Sequence, residues 1–582
     1  MTSTLDRWSA SQRLPARENT ADWRNILLCA ALFLLAVAAT NPVLEMGVND
    51  DFSYTHIARE FAATGRLEYN GWAVMPLVPQ IAWAAAFIKL FGFSFLAVRL
   101  STVVLGLFLT PVLYRLGRES GLAPSFAAYA TLLTTLSPLT LPEAVSFMSD
   151  VPALFLFALC FLGGIKAWKA ATAKASIRWA GLVALAGVLS GLDRQVYWLA
   201  PLGFLPAVAW VQRRKKPVAI GLGALWLGTV LALVSFVLWF QAKPYTLVEH
   251  SLEAWEHAGV RFLAIREFSL AGELALTAAL VLLPLLAGYV APGFRAVSRQ
   301  GAALAAAGAL ATGFAMSRLL HRPAPWLGNI LTETGILNRG PLILGPAMRE
   351  LLTGAVLLAG AGCGLALWKH RRNALARLRQ DPAAPAAMLG FLFAGAALAA
   401  IFYRSASAAA FDRYAIPFLP LAAIPLLRHY QTAIARRIGR LQWAMLALFA
   451  CYGVATTHDA FAAARARLSA AQALERRGIP RTGIRTAIEY DGWTQLESTG
   501  YLNNRQIENP AGAYRPVKCS GPAVEELSLA PAIHARYFVV LARLPELEDA
   551  SAAPVGYTTW LPPAQRQVFT QTLPDGGYAG CR

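Results

Sequence analysis

Charge is scarce in this chain. Only 15% of its 582 residues are Asp, Glu, Lys or Arg, against about 25% in soluble domains. That leaves too little polar surface to cover the 56% of residues that are hydrophobic, which excludes an ordinary cytosolic enzyme. Cysteine is scarce as well: there are six, with no CxxC pair and no zinc-type spacing. Cys29, Cys160, Cys363 and Cys451 lie inside apolar runs and read as small core residues. Disorder, collagen and a small disulfide scaffold are excluded by the same composition. Acidic residues are the rarer sign, 33 against 52 Lys and Arg, for a net charge of +19. No repeat of solenoid length is visible.

What is abundant is apolar sequence. Runs of roughly 18 or more apolar residues recur along most of the length, the mark of a polytopic membrane protein. The basic excess sits in short clusters between them: Arg115 and Arg118; Lys166, Lys169, Lys174 and Arg178; residues 213–216; Arg295 and Arg299; residues 369–372; and Arg436, Arg437 and Arg440. Placed inside, these clusters satisfy the positive-inside rule and thread about thirteen helices, with the N-terminus inside and the tail outside. A nucleic-acid binder would gather such charge on a soluble face, so the expected partner is the bilayer and not nucleic acid.

The expected fold is mainly α, a polytopic helical membrane bundle with a small C-terminal α/β extracytoplasmic domain. Residues 1–25 form a cytoplasmic N-terminal segment, 26–458 the transmembrane domain with its outer loop 45–76, and 459–582 the C-terminal domain. The first helix, 26–44, resembles a signal anchor rather than a cleaved signal. The stretch 77–91 is short and polar-flanked for a span. Glycine-rich stretches at 301–313 and 354–364 suit close helix packing. In the tail, Tyr537-Phe-Val-Val-Leu541 and the turn at Asp575-Gly-Gly577 suggest a small mixed domain. Cys519 and Cys581 stand alone there, and an extracytoplasmic tail would let them pair.

The residues that bear chemistry cluster in the predicted outer stretches. Asp50 and Asp51 are adjacent carboxylates just past the first helix, where mutual repulsion raises one pKa unless a cation compensates. A carboxylate held near the operating pH can take a proton from a hydroxyl. The plain alternative is a helix N-cap. Arg194 sits near membrane depth, where a charge usually faces a cavity or a partner; it can grip a phosphate with its fork, pair with Asp193, or snorkel. Asp150 opens a helix and can be a cap or a site residue, and Arg413 with Tyr414 lies at an outer helix start. His250, Glu253 and His257 share one helical face, a metal-like spacing set against an interfacial helix marked by Trp255. Tyr490-Asp-Gly-Trp493 reads as fold determinant or acceptor contact.

The segment Asp50-Asp-Phe-Ser-Tyr54-Thr-His-Ile57-Ala-Arg59-Glu60-Phe-Ala-Ala-Thr-Gly65 resembles the first outer loop of the GT-C membrane glycosyltransferases. The branch it resembles includes the aminoarabinose transferase of lipid A and relatives of the protein O-mannosyltransferases. Phe87-Ile-Lys-Leu-Phe91-Gly92 with Val98-Arg99-Leu100, Met148-Ser-Asp150-Val-Pro152 and Arg413-Tyr414-Ala-Ile-Pro417-Phe-Leu-Pro420 resemble later motifs of that branch, in order, over residues 26 to about 430. There are two departures. Val74-Met75-Pro76-Leu77 stands where the family carries Lys-Pro-Pro-Leu, and Asp51 stands where it carries Glu.

The resemblance implies inverting transfer of a sugar from a polyprenyl-phosphate donor to a hydroxyl acceptor in the cell envelope (a glycolipid, a polysaccharide or a protein). It places the enzyme in the cytoplasmic (inner) membrane with its active site facing the periplasm. On that reading Asp50 and Asp51 are catalytic, with Asp51 orienting substrate or holding a divalent cation if one is used; no metal ligand set and no other cofactor is assigned. Arg194, Arg413 and Tyr414 would bind the donor phosphate, and Tyr54, Arg59, Asp150 and Gln195 the substrates. The alternatives are a polytopic transporter or flippase, against which stands the absence of evident inverted repeats, and a catalytically silent scaffold.

Overall fold

The computed structural model describes residues 16–248, 255–256, 259–319, 326–337, 342–377, 381–405, 409–521, 524–574 and 579–581. The His250, Glu253 and His257 face and the Asp575-Gly-Gly577 turn lie outside these residues. The chain is mainly helical, as expected. Among the described residues, seven helices are long and apolar enough to cross a membrane, and eight if Val260–Val281 and Leu283–Phe294 form one span bent by 90°. Pro284 opens the second half of that pair and removes a backbone donor at the bend. The first helix is Ala16–Thr40. The stretch expected to be too short to span is Val78–Phe91, entered by Leu77 in the left-handed region (φ 55°) and ended at Gly92.

Small residues set the closest helix crossings. A Cβ on Gly293 would collide with the backbone of Gly362, so Leu283–Phe294 and Pro346–Arg377 meet backbone to backbone.

Contacts tie residues of three of the predicted inside clusters into one end of the bundle. Lys166 reaches Glu119 at 2.9 Å, Lys215 donates to the Ala171 carbonyl at 3.0 Å, and Lys169 donates to the Glu119 carbonyl. Arg428 donates to the Gly121 carbonyl at 2.7 Å and pairs with Asp381 at 3.0 Å. The rings of His370 and His429 lie 5.4 Å apart. Asp150 is at the other end of the helix that carries Lys166 and Lys169, Asp150–Lys169. At 1.5 Å per residue that separation is about 30 Å, a membrane thickness.

The C-terminal region is a small mixed unit with strands in the order Ile484–Arg485, Tyr537–Val540, Gln565–Thr572, Glu548–Asp549; Val555–Thr558 also pairs with Gln565–Thr572. Only the first pairing is parallel. Cys519 and Cys581 are disulfide-bonded. Residue 459, where that unit was expected to begin, lies inside a helix. Arg440–Arg476 is one helix of 37 residues that passes through that position, because Gly439 starts it and no Pro or Gly interrupts it after Gly453. Asp459, on that helix, accepts from the Trp560 and Leu561 amides at 2.7 and 3.0 Å.

The same unit clamps the acidic loop. Helix Ile488–Thr499 packs on Asp51–Thr64, with Gly492 leaving room for the Phe52 ring. Trp493 sits against Phe95 at 4.8 Å and under the Arg59 guanidinium at 5.0 Å. Tyr490 donates to Glu475 at 2.7 Å, and Asp491 accepts from the Thr486 amide at 3.0 Å. Tyr490 to Trp493 are thus fold determinants. A second loop is held too: the Val248 amide donates to Gln506 at 3.1 Å, and Tyr245 stacks on Tyr501 at 4.7 Å.

Candidate active site

The two acids of the Asp50-Asp51 pair face different surroundings. Asp50 precedes helix Asp51–Thr64 but makes no side-chain cap, so the capping alternative fails. Its carboxylate instead lies 3.4 Å from the Arg413 guanidinium, with a fifth of the side chain exposed. Asp51 is fully buried. Its oxygens accept from the Val48 amide at 2.7 Å, the Asn49 amide at 3.3 Å and the Phe147 amide at 3.3 Å. Arg99 stands 3.9 Å away and donates to the Leu44 and Met46 carbonyls. Burial pushes the Asp51 carboxyl up, against the pull of Arg99 and those amides. The Asp51–Arg99 pair therefore fastens the chain after the first helix.

Arg413 is presented by a turn that is itself anchored. Asp412 is fully buried and accepts from the Ile330, Leu331 and Arg413 amides at 3.0, 2.5 and 2.7 Å. Burial raises its pKa to about 6 despite those donors. Burial also works against the Arg413 charge, but Asp50, Asp150 and Glu143 outweigh it and hold the guanidinium above its usual range.

Arg194 follows helix Ala173–Asp193 and forms an ion pair with Asp150, not with Asp193. Asp193 accepts from the Gln80 amide at 3.2 Å. The Arg194 guanidinium also lies over the Tyr414 ring, 5.6 Å from its centre. Arg404 donates to the Tyr414 hydroxyl.

Arg413, Arg194, Asp150, Tyr414 and Arg404 line a cleft of about 260 Å³, which Asp50 adjoins through its contact with Arg413. Its polar wall is Asp150, Arg194, Gln195, Arg404, Arg413 and Tyr414. Its apolar wall includes Val196, Leu199, Ala397, Ile401 and Pro417. Val74 and Met75 line it as well, and Gln195 donates to the Val74 carbonyl at 3.1 Å. With three arginines against Asp150 and the adjoining Asp50, the cleft has a net charge of +1 and an apolar flank, a setting for an anionic head on a greasy tail.

Of the sequence-derived candidates, Asp50, Asp150, Arg194, Gln195, Arg413 and Tyr414 come together here. Tyr54 is buried beside them and feels the charges of Asp50, Arg413, Arg194 and Asp150. Burial raises its phenol, which stays protonated and lies 4.0 Å from the Met75 sulfur. Asp51 is not at the cleft. Neither is Arg59, which pairs with Glu60 at 3.0 Å and Glu497 at 2.7 Å and serves the clamp.

One residue of the cleft wall was missed. Arg404 opens the outer polar stretch 404–413, and its only signal was an ionisable residue beside apolar sequence. Among the described residues no group of three or more His, Cys, Asp or Glu is placed to hold a metal ion.

No family model matches the chain, and no curated protein matches it. Solved structures similar to it include ArnT from Cupriavidus metallidurans bound to undecaprenyl phosphate, 14% identical over 95% of this chain and 98% of that one, with a TM-score of 0.44. The apo state of the same protein is similar over the same shares at 14% identity, with a TM-score of 0.38.

Proposed function

We propose that the chain is a membrane glycosyltransferase that moves a sugar from a polyprenyl-phosphate donor to a hydroxyl acceptor at the outer face of the cytoplasmic membrane. One observation carries this reading: a partly exposed carboxylate, Asp50, is held against an arginine of a cationic cleft whose other wall is apolar. The arginines suit a phosphate and the apolar wall an isoprenoid.

Asp50 accepts the proton of the acceptor hydroxyl as its oxygen bonds to the anomeric carbon. The bond from that carbon to the phosphate oxygen breaks, and its electron pair leaves with the lipid phosphate. Arg413 and Arg194 stabilise the charge gathering there, in a site where water is sparse and each contact is strengthened. A single displacement of this kind inverts the anomeric centre. Val74 stands where the resemblance puts the family's lysine, and Arg404, in the same cleft, supplies a cation in its stead.

The test is product formation by purified protein in detergent from lipid-linked sugars. Asp50→Asn at normal expression abolishes it if the reading holds. A transporter forms no product there but exchanges substrate in sealed vesicles, and transfer retained by Asp50→Asn removes Asp50 from the chemistry.

A further inference from the structure

Helix Arg440–Arg476 is a ruler for depth. Its residues 441–457 carry no charged side chain, and Leu441, Trp443 and Leu448 among them are exposed, as residues facing lipid are. This run starts beside Arg440, in one of the basic clusters, and ends at His458 and Asp459. The distance along the helix is about 27 Å, close to the thickness of a hydrocarbon core. The first helix is a second ruler. Asp22, near its start, pairs with Arg118 at 2.9 Å. Just past its end, the Asn41 and Val43 carbonyls accept from Arg465 at 2.7 and 3.2 Å. Arg465 lies on the long helix about two turns beyond His458, so His458 is within about 10 Å of the level where the first span leaves the bilayer.

A hairpin of the C-terminal unit reaches that level. Val555–Thr558 pairs with Gln565–Thr572, and the tip between them, Thr559-Trp-Leu-Pro-Pro-Ala564, has no charge. The Trp560 ring stacks on His458 at 4.5 Å, yet the residue stays 56% exposed, and Pro562, Pro563 and Ala564 are exposed as well. The backbone of the tip, by contrast, is satisfied from within. The Trp560 and Leu561 amides donate to Asp459, the Thr559 amide donates to the Ala564 carbonyl at 2.9 Å, and the two prolines have no amide to place. The Thr559 hydroxyl donates to the Leu561 and Pro563 carbonyls at 3.0 and 2.7 Å, and Arg566 to the Pro562 carbonyl at 3.1 Å. A loop in water can leave such groups to solvent, whereas one in lipid must bring their partners with it. We propose that the hairpin tip, residues 560–564, is inserted into the bilayer leaflet at the cleft end of the bundle, with Trp560 as its interfacial anchor. Tryptophan favours that boundary. The tip carries no basic side chain, so it is held by apolar contact rather than by the charge of anionic headgroups. The C-terminal unit, which clamps the acidic loop, thereby gains a footing in the membrane beside the long helix.

The inference does not rest on sugar transfer, and its test is depth. The full-length protein is reconstituted in phosphatidylcholine vesicles with a nitroxide on the Ala564→Cys variant, in a Cys451→Ser background because Cys451 is exposed. Collisions with oxygen, which concentrates in lipid, are compared with collisions with a water-soluble nickel chelate. A label on Ala553→Cys, at the far end of the same hairpin, is the reference. The ratio of oxygen to nickel collisions is expected to be about fivefold higher at position 564 than at 553, as for a site several ångströms into the headgroup and acyl boundary. Equal ratios place the tip in water and overturn the proposal. A label at 564 that neither reagent reaches shows a protein cover, such as a second copy of the chain, and overturns it too. Trp560→Asp leaves the Asp459 bonds to the backbone in place but sets a charge at the anchor. It is expected to bring the ratio at 564 down to that at 553, and a ratio that does not move overturns the assignment of Trp560. Adding anionic lipid to the vesicles is expected to leave the parent ratio unchanged; a ratio that rises with it means that charge holds the tip, against the proposal.

Discussion

Asp50 and Arg413 lie 363 positions apart in the chain and 3.4 Å apart in space. Substitution at either end should separate chemistry from binding. Asp50→Asn removes the proton acceptor and should lower turnover by about 10²- to 10⁴-fold, with polyprenyl-phosphate binding kept. Arg413→Lys keeps the charge but loses the fork, and should weaken that binding by about tenfold. Titration of both variants beside a turnover assay checks the split.

The neighbouring acid should behave differently. Asp51→Ala strands the Arg99 guanidinium and three backbone amides without their acceptor. Breaking such a buried pair costs about 3–5 kcal/mol, so a lowered Tm in detergent is expected before any specific kinetic defect. A variant as stable as the parent but inactive would return Asp51 to the chemistry.

Glycine at 492 is required by the Phe52 ring, which a Cβ would strike. Gly492→Ala should loosen the clamp on the acidic loop at about 1–3 kcal/mol, the usual cost of overpacking. Faster proteolysis within residues 45–76, with the bundle intact, is the readout.

His56 lies in that interface, edge-on to Trp493 at 5.8 Å. Burial, with help from the Arg59 charge, lowers its pKa to about 4 from 6.5. The folded state thus binds the proton less readily than the unfolded chain. The stability this group contributes is present above about pH 6.5 and is lost as the pH falls toward 4. His56→Gln should flatten the acid limb of Tm against pH by up to one proton, about 1.4 kcal/mol per pH unit; an unchanged slope contradicts the assignment.

The Cys519–Cys581 bond spans 62 positions, and chain entropy values such a loop at about 4 kcal/mol. Reductant should lower the unfolding temperature of the C-terminal unit. In intact cells both thiols should resist maleimide until reduced, as expected of a bond formed outside the cytosol.

The helical plan was legible because its signal is local: apolar length and basic punctuation set the segments one by one. Asp50, Asp150, Arg194 and Arg413 could be chosen because an ionisable side chain at the edge of an apolar run needs a partner. Which partner was not legible. Arg194 sits beside Asp193 in sequence yet bonds Asp150, since Asp193 is turned to the Gln80 amide. Asp51 and Arg59 share a motif with Asp50, but a helix sends successive side chains about 100° apart, and distant segments decide what each meets: Arg99 for Asp51, Glu497 for Arg59 and Arg413 for Asp50.

The unbroken helix Arg440–Arg476 extends about 55 Å at the standard rise. A rod of that length, rooted among the membrane helices and built into the terminal sheet, behaves as a mast. Within that helix no Pro or Gly after Gly453 offers the cap a hinge. On the proposed reading, a bulky acceptor enters through the shorter connections around the cleft, and stiffening those with engineered cross-links should slow turnover where bracing the mast should not.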